Sequence, residues 1–168
     1  MKYITEPLNA NHDRSAFSCG KSMLDHYIQK QARQDMKRRL AVVFVVPDEY
    51  NMIKGFYTLS NYNVSREDVP ENLRKKMPPS YENLPATLLG RLAVDNKFKG
   101  NRLGEDILFD ALYRSLEISD SSCGSIAVVV GPLDNEAVTF YEKYGFIILP
   151  DRGRMFLPMK TIKDMFHA

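Results

Sequence analysis

The sequence predicts a mixed α/β fold, in which a central β-sheet carries helices on its faces. The chain has 168 residues, the length of one domain, residues 1–168, with a hydrophobic core of its own. Hydrophobic residues make up 44% and charged residues 26%, which is close to the average for soluble globular proteins and excludes a disordered or fibrous chain. Helical and strand patterns alternate along the chain, as expected for a β-α-β unit within a mixed sheet.

The N-terminal part predicts one long helix followed by a hairpin. After Ser22, a candidate N-cap, apolar residues recur at helical spacing, so we expect a helix over about residues 22–38. Lys30, Arg33 and Lys37 follow i, i+3, i+7 spacing and should line one basic side of this helix. The apolar runs at 41–46 and 53–59 flank a cluster of turn residues and predict an antiparallel hairpin.

The middle of the chain predicts an irregular segment and then a β-α unit. Residues 61–87 are polar, carry four prolines and support at most a short basic helix around residues 68–77. Residues 87–94 form an almost continuous apolar run, which is typical of a buried strand. An apolar stripe at helical spacing starts at Gly104 and predicts the helix that follows this strand.

The C-terminal part predicts a strand, a helix and two closing strands. Residues 125–130 are an apolar run and should form a second buried strand. Residues 135–144 predict the next helix, and Gly145 is its expected C-terminal cap. Short strands near residues 146–149 and 154–159 then complete the predicted sheet.

Charge, cysteine usage and hydropathy exclude several classes of protein. The chain has no stretch of about 18 apolar residues and its start lacks the apolar core of a secretory signal, so we expect a cytoplasmic protein without a membrane partner. Cys19 and Cys123 lie far apart without C-x-x-C spacing, which argues against a disulfide framework and against a metal site. The net charge of +2 is too small to indicate a nucleic-acid binder by itself.

The first candidate site is the turn between the strand at 87–94 and the following helix. Residues 95–104 form a basic, glycine-containing loop that leads directly into a helix N-terminus, where unpaired backbone N–H groups favour a phosphate or pyrophosphate. The Walker and dinucleotide fingerprints are both absent. Alternatively, Gly100 and Gly104 serve only a tight turn and close helix packing.

The second candidate site is the helix at residues 135–144. Phe140 and Tyr141 lie near its end, and because the helix follows a central strand, at least one ring should lie by the ligand cleft of an open α/β sheet. The alternative for Tyr141 is a ring in the core whose hydroxyl group is satisfied by hydrogen bonds.

Taken together, the two segments resemble the GNAT family of acetyl-CoA-dependent N-acetyltransferases, so the fold we expect is a GNAT-like mixed sheet. Residues 99–104 are similar to the family's pyrophosphate motif, Gln/Arg-x-x-Gly-x-Gly/Ala, with Lys99 at its first position. Arg102 stands where the motif has its first glycine, and it fits there if its backbone is helical and its guanidinium points outward. Residues 135–146 look like the family's N-x-x-A-x-x-F-Y-x-x-x-G-F segment.

The resemblance implies acetyl-CoA as cofactor and Tyr141 as the general acid that protonates the leaving thiolate. A phenol of pKa ~10 and a thiolate of pKa ~8.5 are close enough for that transfer. The sequence does not identify the general base. The implied coenzyme-binding residues are Leu92, Ala93 and Val94 through their backbone, the loop residues Lys99, Gly100, Asn101, Arg102, Leu103 and Gly104, and Asn135 and Phe140.

Further segments resemble a narrower branch, the toxin-type GNAT enzymes that acetylate the amino group of aminoacyl-tRNA. They are F-x-C-G at 17–20, Leu-Asp at 24–25, G-F-Y-T-L-S at 55–60 and P-x-x-L-L-G-R-L-A-V-D at 85–95. This resemblance implies aminoacyl-tRNA as acceptor and a ribbon-helix-helix antitoxin as partner, and a homodimer is left open. The tRNA phosphates would meet the basic helix side formed by Lys30, Arg33 and Lys37.

Other functions stay open at this point. An acetyltransferase for a small-molecule or protein amine would carry the same motifs. A catalytically silent coenzyme A-binding regulator would share the pyrophosphate loop but would not need Tyr141. An RNA-binding module without catalysis would use the basic helix, although the sequence contains none of the established nucleic-acid motifs.

Overall fold

A computed structural model describes residues 2–150 and 153–167 and confirms the mixed fold. Within these residues, seven strands form one sheet in the order β1-β2-β3-β4-β5-β7-β6. The strands are β1 Glu6–Pro7, β2 Val42–Pro47, β3 Ile53–Ser65, β4 Asn83–Val94, β5 Ala127–Val130, β6 Ile147–Ile148 and β7 Met155–Pro158. The helices are α1 Ser22–His26, α2 Ala32–Lys37, α3 Glu71–Arg74, α4 Leu103–Ser121, α5 Asn135–Lys143 and α6 Met159–His167.

Strand pairing follows the predicted order of elements. β2 pairs antiparallel with β3, which confirms the hairpin, and the register shifts at Val46 and Pro47 where the strand ends. β1 also pairs antiparallel with β2, and β7 pairs antiparallel with both β5 and β6. β4 and β5 are neighbours in the sheet and are joined through α4, as the predicted β-α-β unit requires.

The chain forms two compact units, each with its own apolar cluster. The first unit is Met1–Ser60 with Leu89–Ala111, and the second is Asn61–Leu88 with Leu112–Ala168. β3, β4 and α4 contribute residues to both units. The first cluster contains Leu8, Phe17, Cys19, Tyr27, Ile28, Ala32, Val43, Val45, Ile53, Phe56 and Ala93. The second contains Val64, Val69, Leu84, Ala86, Ala127, Val129, Leu149 and Phe156.

The predicted N-terminal helix is present but is not a continuous α-helix. A π turn over Tyr27–Gln31 separates α1 from α2, and the Ala32 N–H donates to the carbonyl oxygen of Tyr27, five residues back. Ser22 is the first helical residue, so its prediction as N-cap was wrong; the N-cap is Lys21, which makes no side-chain capping bond. Tyr27, Ile28 and Ala32 are buried, as the apolar spacing predicted.

The segment predicted to be irregular contains parts of two strands. β3 continues to Ser65 and β4 begins at Asn83, while the short basic helix is reduced to a single 3₁₀ turn and α3. Val64, Leu84 and Ala86 are buried whereas the residues beside them face solvent more, so an alternating pattern places one side of each strand in the second core. The polar composition of this segment reflects its outward-facing residues.

A buried carboxylate connects three parts of the first unit. Asp110 of α4 is fully buried and accepts hydrogen bonds from the Thr5 hydroxyl at 2.6 Å and the Tyr57 hydroxyl at 2.7 Å. The backbone N–H of Ile4 donates to its other oxygen at 2.7 Å. Buried polar groups need such partners, and here the partners join the N-terminal segment and β3 to α4.

The described residues contain free cysteines, no metal-binding cluster and no membrane-spanning helix. Cys19 and Cys123 are both free thiols. Cys19 is buried in the first apolar cluster, whereas Cys123 is exposed. Among residues 2–150 and 153–167, no group of three His, Cys, Asp or Glu side chains is arranged to hold a metal ion. No helix in the same part of the chain combines the length and apolarity needed to cross a membrane.

Gly55→Ala should lower the free energy of unfolding, because β3 and α4 approach each other too closely for a side chain there. A Cβ atom at Gly55 would lie 2.4 Å from the Ile107 Cδ1 and 3.0 Å from the carbonyl oxygen of Ala93. Overpacking of this kind costs about 1–3 kcal/mol. Denaturant unfolding measures it, with Gly124→Ala as the control because no atom lies within 4 Å of a Cβ there. Equal stability of the two variants would contradict the packing described.

Candidate active site

The loop between β4 and α4 belongs to the first unit, and a buried aspartate determines its path. Asp95 follows β4 and is only 5% exposed. One of its carboxylate oxygens accepts the Lys97 N–H at 2.9 Å, which caps the 3₁₀ turn Asn96–Phe98. The other accepts the Ser18 N–H at 3.1 Å. Asp95 therefore joins the loop to the segment that precedes α1.

Lys99 strengthens the same connection. Its ammonium group donates a hydrogen bond of 2.6 Å to the carbonyl oxygen of Cys19. The Cys19 N–H in turn donates to Asp25 of α1 at 2.8 Å, and burial raises the pKa of the Cys19 thiol to about 11. The residue predicted to contact the coenzyme therefore also anchors the loop to the F-x-C-G segment.

Arg102 has a different backbone conformation from the one predicted. Its φ is +60°, in the left-handed region that favours glycine, so the expected helical backbone at this position was wrong. Its carbonyl oxygen accepts the Asp106 N–H at 3.0 Å, and α4 begins at the next residue, Leu103. The arginine thus adopts a backbone conformation that glycine adopts more readily, and its side chain is exposed.

The remaining residues of the loop leave the start of α4 accessible. Gly100 has φ of +88°, and a Cβ placed on it would meet no atom within 4 Å. Gly100 and Asn101 are exposed, whereas Leu103 and Gly104 are half-buried in the first turn of a 19-residue helix. The first backbone N–H groups of such a helix lack acceptors within it and carry its positive dipole end. This arrangement can bind an anion.

The end of β4 supplies the predicted backbone groups. Ala93 is buried in the first core, while Leu92 and Val94 are half-buried. Between Gly90 and these residues lies Arg91, which sequence reasoning did not identify as a site residue. Its guanidinium carbon lies 3.6 Å from the centre of the Tyr27 ring. An arginine within an otherwise apolar strand was the available signal.

The second unit contains α5 and the predicted general acid. Asp134 caps this helix by accepting the Ala137 N–H at 2.9 Å, so Asn135 is the first helical residue and its side chain is exposed. Gly145, with φ of +96°, follows the helix and donates its N–H to the carbonyl oxygen of Glu142, which confirms the predicted C-terminal cap.

Tyr141 is held among aromatic rings. Its ring is 7% exposed and makes edge contacts with Phe140 and Phe146, at centroid distances of 5.3 and 5.2 Å. The described residues give its hydroxyl group no hydrogen bond. Burial raises the pKa of Tyr141 well above its usual range. The ring is thus part of the core, but its hydroxyl is not fully enclosed; among the described residues the enclosed hydroxyl without a partner is that of Tyr27.

The basic helix side belongs to the first unit. Lys30 lies in the π turn, Arg33 and Lys37 lie in α2, and all three side chains are exposed. The described part of the chain offers none of them an ion-pair partner. The π turn changes the helical period between Lys30 and Arg33, so these residues share an exposed surface rather than a strict i, i+3 row. The first unit therefore contains both this surface and the β4-α4 loop, and the second contains Asn135, Phe140 and Tyr141.

Comparison with known proteins identifies the family. No model of a protein family matches the chain. A tRNA-acetylating toxin of Mycobacterium tuberculosis (strain ATCC 25618 / H37Rv) is 36% identical over 154 residues, covering 91% of this chain and 90% of the relative. A probable toxin TacT of Sinorhizobium fredii (strain NBRC 101917 / NGR234) is 33% identical over 177 residues, covering 98% of this chain and 95% of the relative.

Solved structures show the same fold. AtaT complexed with acetyl-methionyl-tRNAfMet has a TM-score of 0.88 and 27% identity, covering 96% of this chain and 98% of that one. AtaTR bound with acetyl-CoA has a TM-score of 0.84 and 27% identity, covering 96% of each chain. A Tyr-to-Phe mutant of AtaT bound to the C-terminus of the antitoxin AtaR, at 24% identity, has a TM-score of 0.84 over 98% of this chain and 96% of that one. The chain therefore belongs to the family of tRNA-acetylating toxins, acetyltransferases with the GNAT fold.

Proposed function

We propose that this protein transfers the acetyl group of acetyl-CoA to the amino group of an aminoacyl-tRNA. The observation that carries the proposal is Tyr141, whose ring is buried and fixed by aromatic contacts, whose hydroxyl no described residue engages, and which lies in the segment that resembles the family's N-x-x-A-x-x-F-Y motif. The relative from M. tuberculosis, which is named for tRNA acetylation, supports the choice of acceptor. The same proposal places the enzyme in the cytoplasm, where charged tRNA occurs.

The start of α4 fits the pyrophosphate of the coenzyme. Backbone N–H groups at the helix N-terminus bind phosphate oxygens, and the open space in front of Gly100 leaves room for them. In the proposed site the backbone from Lys99 to Gly104 holds the pyrophosphate, while Lys99 positions the loop through Cys19. The exposed Asn135 and the ring of Phe140 would contact the pantetheine.

The proposed reaction is a direct transfer. When bound, acetyl-CoA supplies the acetyl thioester and leaves as the free thiol. Backbone N–H groups from Leu92 to Val94 polarise the thioester carbonyl as the neutral amine of the acceptor attacks it and the carbon–sulfur bond breaks. The Tyr141 hydroxyl donates its proton to the departing sulfur, the attacking nitrogen loses one proton to solvent, and solvent returns a proton to the Tyr141 phenolate. Because burial makes this phenol a weaker acid, the proton moves only after negative charge has developed on the sulfur.

An antitoxin is the second proposed partner, as expected of a toxin in a toxin-antitoxin pair. AtaT, which shares the fold, is bound by the C-terminus of its antitoxin AtaR. We expect a ribbon-helix-helix protein encoded beside this chain to serve the same purpose, and co-expression of such a neighbour should suppress the acetylation activity.

The direct test of the proposed function is acetylation of charged tRNA. Wild-type protein with radiolabelled acetyl-CoA should transfer label to aminoacyl-tRNA, and no label should remain after the ester bond to the tRNA is hydrolysed and the nucleic acid is recovered. Deacylated tRNA is the control. Labelling of small amines but of no aminoacyl-tRNA would overturn the choice of acceptor.

Tyr141→Phe should reduce kcat by ~10²–10⁴-fold while acetyl-CoA affinity changes little, because only the proton donor is removed. Single-turnover kinetics and calorimetry with acetyl-CoA measure the two effects. Tyr144→Phe, on the half-buried tyrosine that follows α5, is the matched control and should retain nearly full kcat. An unchanged kcat in Tyr141→Phe would assign proton donation to another group.

Reversing charge on the basic helix side should raise KM for the tRNA. Lys30→Glu, Arg33→Glu and Lys37→Glu each remove one cation, and each lost phosphate contact lowers the slope of log affinity against log salt by about 0.9. Lys163→Glu makes the same charge change on the exposed surface of α6 and should have little effect. If all four variants show equal KM values and equal salt dependence, the acceptor does not use this surface.

Arg102→Gly should raise the free energy of unfolding by about 1 kcal/mol, because it relieves a left-handed backbone that a side chain disfavours. Asn101→Gly is the control on the neighbouring exposed residue, whose φ is not positive; there glycine should instead lower stability by up to about 1 kcal/mol. Thermal and denaturant unfolding compare the two. A loss of stability in both variants would mean that Arg102 does not strain the loop.

A further inference from the structure

We propose that Arg91, stacked on Tyr27, is a binding site for a phosphate group of the acceptor RNA. The inference rests on the proposed function. It adds Arg91 to the RNA-binding residues, and Arg91 belongs neither to the coenzyme loop nor to the basic helix side. It arises from one feature of the first unit, a half-buried guanidinium that is held in position but has no hydrogen-bond acceptor.

The position of Arg91 is determined by the ring beneath it. The guanidinium carbon lies 3.6 Å from the centre of the Tyr27 ring, so the planar group covers the ring face. Tyr27 is 2% exposed, and its ring also stacks with Phe56 at a centroid distance of 6.3 Å and an angle of 12°. Tyr27 is the first residue of the π turn and belongs to the same apolar cluster as Ala93 of β4. Arg91 is therefore pre-organised by the core.

The donors of Arg91 are unused. In residues 2–150 and 153–167 its guanidinium has no hydrogen bond and no ion pair, although it has five N–H donors and is half-buried. Two other arginines of this protein, by contrast, donate hydrogen bonds to backbone carbonyl oxygens. Arg14 donates to the carbonyl oxygens of Ile28 and Gln29, and Arg66 donates to those of Pro78, Tyr81, Arg74 and Met77.

Because Arg91 is half-buried, water reaches its donors, and an anionic ligand can take the place of that water even though Asp35 also lies near the Tyr27 ring. A phosphate group suits the planar fork of arginine because it accepts two parallel hydrogen bonds. The surroundings indicate RNA as the source of that phosphate. Alternate residues of a strand face the same side, so Arg91 shares the face of β4 on which Ala93 packs with Tyr27 and Ile28 of the basic helix. Lys30, Arg33 and Lys37 of that helix are exposed and unpaired.

Binding of uncharged tRNA to the full-length protein, followed by fluorescence anisotropy over a salt series, tests the site without turnover. Arg91→Gln should weaken tRNA binding about tenfold and lower the salt slope by about 0.7–0.9. Arg91→Lys retains the charge but not the planar fork, so it should keep the slope and still lose several-fold in affinity. Tyr27→Leu removes the ring that positions Arg91 and should weaken tRNA binding as Arg91→Gln does.

Arg14→Gln is the matched control, because Arg14 is a half-buried arginine beside the same helix and one of its terminal nitrogens already donates to the carbonyl oxygens of Ile28 and Gln29. It should leave tRNA affinity and the salt slope at wild-type values. Calorimetry with acetyl-CoA separates the two sources of phosphate: Arg91→Gln should bind acetyl-CoA as wild type does, and a matching loss there would transfer the site to the coenzyme. Thermal unfolding confirms that each variant is folded.

Two results would overturn the inference in distinguishable ways. If wild type acetylates aminoacyl-tRNA but Arg91→Gln binds tRNA with unchanged affinity and slope, the Arg91 site is wrong while the proposed function stands. If wild type neither binds tRNA nor acetylates it, the proposed function fails and the Arg91 site fails with it.

Discussion

The carboxylate of Asp95 is the constraint on which the arrangement of the first unit depends. It accepts backbone hydrogen bonds from Lys97 in its own turn and from Ser18 in the segment before α1, while its N–H donates to the carbonyl oxygen of Lys54 in β3. A single buried residue thereby joins the end of β4 to two other parts of the chain, to Ser18 through its side chain and to Lys54 through its backbone. Loss of one partner of such a group would leave a buried charge unsatisfied, which is costly. The loop that we propose for the pyrophosphate and the helix that we propose for tRNA are thus built from a common anchor.

Pairing of charges explains how a protein of net charge +2 can bind a polyanion. Net charge counts every side chain equally, although several cations of this chain already have partners. Arg14 and Arg66 donate hydrogen bonds to carbonyl oxygens. Lys75 and Lys160 form exposed i, i+4 ion pairs with Glu71 and Asp164. Among the described residues, Lys30, Arg33 and Lys37 of the N-terminal helix have no such partner. Counterion release depends on how many phosphates are neutralised locally, not on the sum over the chain. A small net charge is therefore compatible with a tRNA substrate.

The sequence predicted the elements in which apolar spacing matches burial in the folded protein. It missed elements whose burial depends on contacts with distant parts of the chain. The hairpin, the buried strands and α5 follow from apolar spacing and Gly145. β3 and β4 extend into a polar, proline-containing segment because alternate residues such as Val64 and Leu84 reach the second core. The helix α6 was not predicted; it begins at Met159 directly after β7 ends at Pro158, so no turn residue marks the boundary between the two elements.

In the candidate site, the sequence predicted the segments that carry motifs and missed the backbone conformations within them. The motif positions identified the β4-α4 loop and α5. The spacing of residues does not determine the sign of a φ angle, so it did not predict the positive φ of Arg102. The π turn was equally hidden, because one extra residue in a helical turn leaves the apolar composition unchanged. The contact of Arg91 with the Tyr27 ring was hidden too, because it joins β4 to a residue 64 positions earlier in the chain.

Burial of Tyr141 combines catalytic and structural consequences that oppose each other. The aromatic contacts fix the ring, and the apolar surroundings keep the phenol neutral by raising its pKa above the usual value of about 10. Because the folded pKa lies above the unfolded one, this residue costs no stability below about pH 10, and stability is lost as the pH rises beyond it. The same shift weakens the acid that the reaction needs. A thiolate is a weaker base than this phenolate even when its charge is fully developed, so the proton transfer is completed only as solvent returns a proton to Tyr141.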